Sequence, residues 1–172
     1  MNFDINATKQ AHDFFYSKSG IDNTMADKLA SQVHPEALAD VRQAYDFFYS
    51  KSGIDEKTAA GFAVRVREGA FADVRQSYDL FFSKSGIDEK TAAGFAVRVR
   101  EGAFADVRQS YDFFFNKSGI NEKMAADFSS RVPVGAFDSV RKAYDYYYSQ
   151  TGVDEKAAAR LAVNSVRPGS RS

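Results

Sequence analysis

The stretch Asp55–Asp79 reads DEKTAAGFAVRVREGAFADVRQSYD, and the same 25 residues recur unchanged at Asp88–Asp112. The two copies are offset by 33 residues, and looser copies continue this period in both directions. A fixed period of this length is typical of repeat arrays, in which each unit packs mainly against its neighbours. Tandem duplication and consensus design both account for such close copies. We therefore predict a single repeat domain over residues 1–172, with units at 4–36, 37–69, 70–102, 103–135 and 136–168.

Each unit contains two segments with the apolar spacing of an amphipathic helix, i, i+3, i+4, i+7. In the second unit, the apolar positions of the first segment are Ala37, Leu38, Val41, Ala44, Tyr45, Phe48 and Tyr49. Those of the second segment are Ala59, Phe62, Ala63 and Val66. The pattern predicts two helices per unit, with all of these residues facing the core.

The turn between the two helices carries its own signals. Gly53 stands where a helix commonly ends in a left-handed residue, which predicts a positive φ there. Asp55 is placed to cap the next helix by accepting hydrogen bonds from its free N–H groups. Two short turns per unit leave no room for strands. We predict an all-α fold, an α-solenoid of five 33-residue helix-turn-helix units with about ten short helices. By analogy with other helical repeats, we expect it to be right-handed.

Composition narrows the class of protein. The 23 Lys and Arg balance 23 Asp and Glu, which argues against a protein that coats nucleic acid or an anionic membrane. The absence of Cys excludes disulfides and thiolate metal sites. No apolar run approaches the roughly 20 residues of a membrane span, and Met1-Asn2-Phe3-Asp4 does not open a signal peptide. We expect a soluble intracellular protein, cytoplasmic by default.

Residues that could carry catalysis are scarce. The two histidines, His12 and His34, both lie in the first unit and have no matching carboxylate pattern around them. The KSG tripeptides lack the leading glycine and the strand-to-helix context of a phosphate-binding loop. We find no convergent set of nucleophile, base and electrophile. The sequence predicts that the chain is not an enzyme and binds no cofactor or metal.

The first helix of each unit is apolar over an arc of about 200°, wider than one buried face requires. Either neighbouring units cover it on two sides, or it presents aromatic side chains outward. In the second interpretation, the edge aromatic flanks a polar face that holds Gln43 and Asp40, with the Arg42/Asp46 pair across that face. Half-exposed aromatics in such a setting are typical anchors for a partner protein. The predicted partner-binding residues are Phe47, Leu80, Phe113, Tyr146, Gln43, Gln76, Gln109, Arg42, Arg75 and Arg108.

The charges repeat as well. Arg42 and Asp46 are i, i+4 partners, and the pair recurs at Arg75/Asp79, Arg108/Asp112 and Arg141/Asp145. A second repeat, Arg65, Arg98 and Arg131, forms a basic row that could bind an anionic polymer, although the row fails at Gln32 and Asn164 in the two end units. The main prediction is a non-catalytic scaffold or linker that binds a protein partner. The alternatives are a nucleic-acid-binding repeat that uses the basic row, and a purely structural or designed array without a ligand.

The end units differ from the inner ones in ways that indicate caps. In the first unit, His12 stands at the position of Tyr45, and the fifth unit carries the cluster Tyr146, Tyr147 and Tyr148. Both changes make an outer face more polar. Because like repeats stack on one another, end-to-end self-association is a further possibility. The tyrosine cluster could instead dock a partner end-on.

The arrangement is similar to known helical repeats in plan alone. The paired helices are similar to tetratricopeptide repeats, and the period equals that of ankyrin repeats. The Trp/Leu/Gly/Tyr pattern of the first family is absent, as is the TPLH signature of the second. TAL-type DNA-binding repeats have closely similar lengths, but their paired base-reading positions have no match here. These similarities carry no function.

Overall fold

The computed structural model describes residues 5–84 and 86–166, and these residues form ten helices and no strand. The helices are α1 (Ile5–Tyr16), α2 (Asn23–Gln32), α3 (Leu38–Tyr49), α4 (Glu56–Ala63), α5 (Phe71–Phe82), α6 (Glu89–Ala96), α7 (Phe104–Phe115), α8 (Glu122–Ser129), α9 (Phe137–Tyr148) and α10 (Glu155–Val166). The all-α prediction is confirmed, with two helices per repeat. The predicted outer boundaries at residues 4 and 168 lie outside the described residues.

The helices pack in two ways. Within a unit, the first helix packs against the second, as in α3 against α4. Between units, the first helices pack side by side in the order α1, α3, α5, α7, α9. The first helices therefore form a continuous layer, and we call each contact region between consecutive units a seam.

The core follows the predicted spacing on α3 except at its two ends, and at the first of these Leu38 is only partly buried. Val41 and Phe48 are fully buried, and Tyr45 nearly so. The prediction that Tyr49 is a core residue is wrong, because its side chain is 48% exposed. Tyr49 lies about 40° further round the helix than Tyr45, away from the centre of the buried stripe. Its ring stacks on Tyr45 at 5.7 Å between centroids, and its outer face meets solvent.

The predicted helix cap is present. The carboxylate of Asp55 accepts a hydrogen bond of 2.8 Å from the backbone N–H of Thr58. That bond, followed by one from the Thr58 side chain, lowers the pKa of Asp55 below its usual value. The corresponding caps of the other units are Asp22, Asp88, Asn121 and Asp154. An aspartate or asparagine at one repeat position therefore marks where the second helix of each unit begins.

The prediction of a left-handed Gly53 is wrong, whereas its counterpart Gly152 does have a φ of 83°. Among the described residues, the other positive-φ glycines are Gly69, Gly102 and Gly135, which lie between units. Gly53 is needed for a different reason. A Cβ atom there would stand 2.5 Å from Oε1 of Glu89, which belongs to the next unit. The glycine therefore allows close approach across a seam.

Candidate partner-binding surface

The predicted edge aromatics lie at the seams. Phe47 is half-buried, and its ring meets that of Tyr78, on the next unit, edge to face at 5.2 Å. The ammonium group of Lys51 lies 4.2 Å above the Phe47 ring and 5.2 Å from the Tyr78 ring. Such a cation over aromatic faces is attracted by their electron density. Phe47 therefore holds two units together, as expected if neighbouring units cover the arc.

The other edge positions repeat this arrangement with two changes. Phe113 meets Tyr144 at 5.2 Å, with Lys117 4.2 Å above it. Leu80 is half-buried against the core and replaces the ring in its seam. Tyr146 is 63% exposed, since the described part of the chain holds no unit beyond the fifth. Only the last predicted edge residue is therefore open to a partner.

The predicted polar residues lie on the outer surface of the same helices. These exposed residues are Gln43, Gln76, Gln109, Arg42, Arg75 and Arg108. The predicted pairing of Arg42 with Asp46 is wrong. Among the ion pairs of the described residues, neither this pair nor its equivalents occur, and Arg141 instead approaches Asp138 at 3.6 Å. The Arg42 guanidinium lies 5.4 Å over the Phe14 ring of the preceding unit, because the seam offers it an aromatic face.

A second row of aromatic side chains, which the sequence interpretation placed in the core, is exposed. The exposed fractions are 54% for Tyr16, 48% for Tyr49, 45% for Phe82, 45% for Phe115 and 49% for Tyr148. We call these five residues the outer aromatic row. One signal in the sequence could have indicated it: Tyr and Phe exchange freely at this position, whereas the neighbouring position of Phe48 is Phe in four units of five.

Each ring of the outer aromatic row rests on a second ring from the preceding turn of its own helix. Phe82 stacks on Tyr78 at 5.7 Å with an interplanar angle of 23°. The supporting tyrosines are 1–2% exposed, and their hydroxyl groups have no hydrogen-bond partner in the described structure: Tyr45, Tyr78, Tyr111 and Tyr144. Burial, followed by the charge of Glu89, raises the pKa of Tyr78 to about 12. Four rings of the outer row therefore stand on a buried second layer, whereas Tyr16 stacks on the partly exposed His12 at 5.6 Å.

One carboxylate, that of Asp127, neutralises part of the charge of the basic row that could bind nucleic acid. Asp127 accepts a bond of 2.6 Å from Arg98 and one of 2.9 Å from Arg131. Arg65 lies with its guanidinium 5.9 Å from the centre of the Phe62 ring. Two of the three arginines thus share one carboxylate, which neutralises part of the positive charge of the row and holds two of its guanidinium groups away from phosphate groups.

Three further features of the described residues concern metal ions, membranes and surface clefts. Within residues 5–84 and 86–166, no group of three or more His, Cys, Asp or Glu side chains could hold a metal ion. The helices in these ranges are all too short or too polar to cross a bilayer. An open cleft of about 470 Å³ lies along α2, between Asp22 and Gln32.

Comparisons with known proteins give no relative. The chain matches no protein-family model, and neither curated proteins nor solved structures gave a significant match.

Proposed function

We propose that the chain is a non-catalytic helical-repeat scaffold or linker that binds a protein partner across the outer surface of its first helices. One observation carries this proposal. Five aromatic side chains at a constant sequence interval each leave about half of their surface in water, although each stacks on a ring of its own helix. Exposed apolar surface of this extent commonly marks a site of protein association.

The energy available from this row is considerable. Covering the exposed half of one ring removes about 100 Å² of apolar surface from water, which is worth about 2.5 kcal/mol. Because the rings stand on packed helices, they are ordered before a partner arrives, so little further side-chain entropy is lost. Equivalent contacts on one rigid body also act together, since the first contact brings the next within reach.

The polar side chains define the chemistry of the partner. Arg42 and Gln43 lie on the outer surface of the same helix as Tyr49, and the next units repeat this set. Packed helices lie about 8–10 Å apart, so the aromatic anchors recur at about that interval. A partner segment with apolar side chains at this spacing, and carboxylates that reach the arginines, would fit. We do not propose nucleic-acid binding, because Asp127 already engages Arg98 and Arg131.

The test compares two triple variants with the parent in pull-downs from cell lysate. The first carries Tyr49→Gln, Phe82→Gln and Phe115→Gln. The matched control changes three exposed residues of the second helices, Lys57, Lys90 and Lys123, to Gln. Circular dichroism and thermal melting first establish that all three proteins fold. We expect the parent and the control to retain the same protein and the aromatic-row variant to lose it.

Two outcomes would contradict the proposal. If the folded aromatic-row variant retains the partner as well as the parent does, the partner binds elsewhere. If the parent captures nothing above the bare matrix, the interpretation of the chain as a purely structural array is favoured. Changing the edge residue Phe47 would not serve this test, since its ring packs against Tyr78 and its loss weakens a seam.

A further inference from the structure

Every seam uses a carboxylate of one unit to bind the glycine turn of the unit before it. The backbone N–H of Gly53 donates to Oε1 of Glu89 at 2.6 Å. The same bond measures 2.8 Å from Gly86 to Glu122 and 2.5 Å from Gly119 to Glu155. At the first seam, the Ser19 hydroxyl donates to Glu56 at 3.1 Å. The glutamate at the start of each second helix is therefore a seam residue.

A second carboxylate, an aspartate of the first helix, binds backbone N–H groups where the following unit begins. Asp40 accepts hydrogen bonds from the backbone N–H groups of Gly69 (2.8 Å) and Phe71 (3.2 Å), where the next unit begins. Asp73 binds Phe104 at 3.0 Å in the same way. Asp106 repeats both bonds at Gly135 and Phe137. These N–H groups lie at a helix start and have no partner within the helix, so the aspartate satisfies them.

The third seam element is the lysine that lies over aromatic rings. Lys18 lies 5.0 Å from the Tyr45 ring, and Lys84 lies 5.0 Å from the Tyr111 ring. Each of the last three seams thus joins a forward face, which presents the aspartate and the lysine, to a rear face, which presents the glutamate and the buried tyrosine. The first seam has the other three groups, but Ala7 stands at its aspartate position.

The two outermost faces lack these groups. On the forward face of the fifth unit, Ser139 stands at the aspartate position and Gln150 at the lysine position. On the rear face of the first unit, Asn23 stands at the glutamate position and His12 at the tyrosine position. If these two faces met, both the lysine and the tyrosine of their contact would be replaced. Each of the two carboxylate bonds would lack its carboxylate.

We propose that these four residues make the first and fifth units caps, which prevent a second copy of the chain from stacking head to tail. The faces that would meet are equivalent to those joined four times within the chain. A head-to-tail contact between identical copies does not close on itself and would continue into a filament. The caps therefore keep stacked copies from extending the array and its outer aromatic row beyond one chain, which goes beyond the proposed binding role.

Restoring the inner residues is compatible with the fold of each end unit. His12 already stacks on Tyr16 at 5.6 Å, as Tyr45 stacks on Tyr49 at 5.7 Å, so a tyrosine fits there. Asn23, Ser139 and Gln150 are exposed, so their replacement disturbs no core packing. The Asp22 cap of α2 is left in place.

The experiment measures the mass in solution of four proteins by sedimentation and light scattering. They are the parent, a rear-face variant (His12→Tyr, Asn23→Glu), a forward-face variant (Ser139→Asp, Gln150→Lys) and the fourfold variant. We expect the parent and each two-residue variant alone to be monomeric. An equimolar mixture of the two-residue variants should form a dimer and nothing longer, because its outer faces remain capped. The fourfold variant should form open-ended oligomers that grow with concentration.

A fifth protein identifies the surface that associates. Adding Tyr146→Glu to the fourfold variant places a charge where the edge aromatic would enter the seam, and should restore the monomer. The proposal is overturned if the folded fourfold variant stays monomeric, if the parent associates equally well, or if the Tyr146→Glu protein still forms oligomers. If the fourfold variant does not fold, the mixture decides: a dimer supports the proposal, and two unassociated monomers overturn it.

Discussion

Replacing Ser77 by alanine should make the protein more stable. Ser77 is fully buried in α5, and its hydroxyl group has no hydrogen-bond partner among the described residues. A buried polar group without a partner costs about 1–3 kcal/mol, because it has given up its hydrogen bonds to water. Alanine also has the higher helix propensity, by up to about 0.5 kcal/mol. Alanine already occupies this position in three units, as Ala11, Ala44 and Ala143. We expect Ser77→Ala to raise the free energy of unfolding by about 1–3 kcal/mol.

Ser129 provides a matched control. It is also fully buried in a helix at a position where the other units have alanine, but its hydroxyl donates to the carbonyl of Ala126 at 3.2 Å. Urea denaturation followed by circular dichroism should show a larger gain for Ser77→Ala than for Ser129→Ala. Ser110→Ala, at the equivalent site of the next unit, should behave like Ser77→Ala. If Ser77→Ala is neutral or destabilising, the assignment of an unsatisfied hydroxyl is refuted.

Two further predictions concern glycine and tyrosine. Gly53→Ala should lower the free energy of unfolding, because the new Cβ would displace Glu89 from its bond to the turn. Gly61 has open space around it and lies within a helix, so Gly61→Ala should raise the free energy of unfolding by about 0.5–1 kcal/mol. Urea melts of the two variants decide this, and equal effects of the same sign would contradict the seam geometry. The second prediction is alkaline unfolding. Burial raises the pKa of Tyr78 to about 12, so its protonated form is favoured by folding; this stabilisation is complete below about pH 10 and is lost as the pH rises through about 12. Tyrosinate absorbance and helicity should therefore change together in that range, as Tyr45, Tyr111 and Tyr144 are shifted in the same direction. Tyrosinate formation at these sites with the helices intact would show that the rings are accessible.

Local features of the fold could be predicted because they depend on residues close in sequence. Asp55 caps a helix through a bond to the third residue after it, and the apolar spacing around Val41 and Phe48 is a property of one helix. The seam bonds could not be predicted in this way. Glu89 and Gly53 are 36 residues apart, and nothing local to either indicates that they meet.

On the candidate surface, the same helix holds one residue whose exposure the sequence pattern could not predict and one whose exposure depends on the neighbouring unit. Phe47 and Tyr49 are both aromatic and lie on opposite flanks of the buried stripe of α3. The pattern predicted Phe47 as the more exposed of the two, yet its ring packs against Tyr78 of the next unit while Tyr49 remains open to solvent. The following unit covers the Phe47 flank, whereas the preceding unit packs its Phe14 ring on Tyr45 and leaves about half of Tyr49 in solvent. Helical periodicity gives the angle of each side chain and carries no information about which flank a neighbouring helix occupies.

The amino-acid sequence by itself determined the repeat, its period, the two helices in each unit and the caps of the second helices. These follow from hydrogen bonds and apolar spacing within a few residues, which any copy of the unit reproduces. Tertiary structure decided which aromatic rings fill the seams, which form the outer row, and that Arg42 lies over a ring of the preceding unit rather than beside Asp46. Those outcomes depend on how one unit is placed on the next, and that placement comes from contacts between residues about one repeat apart.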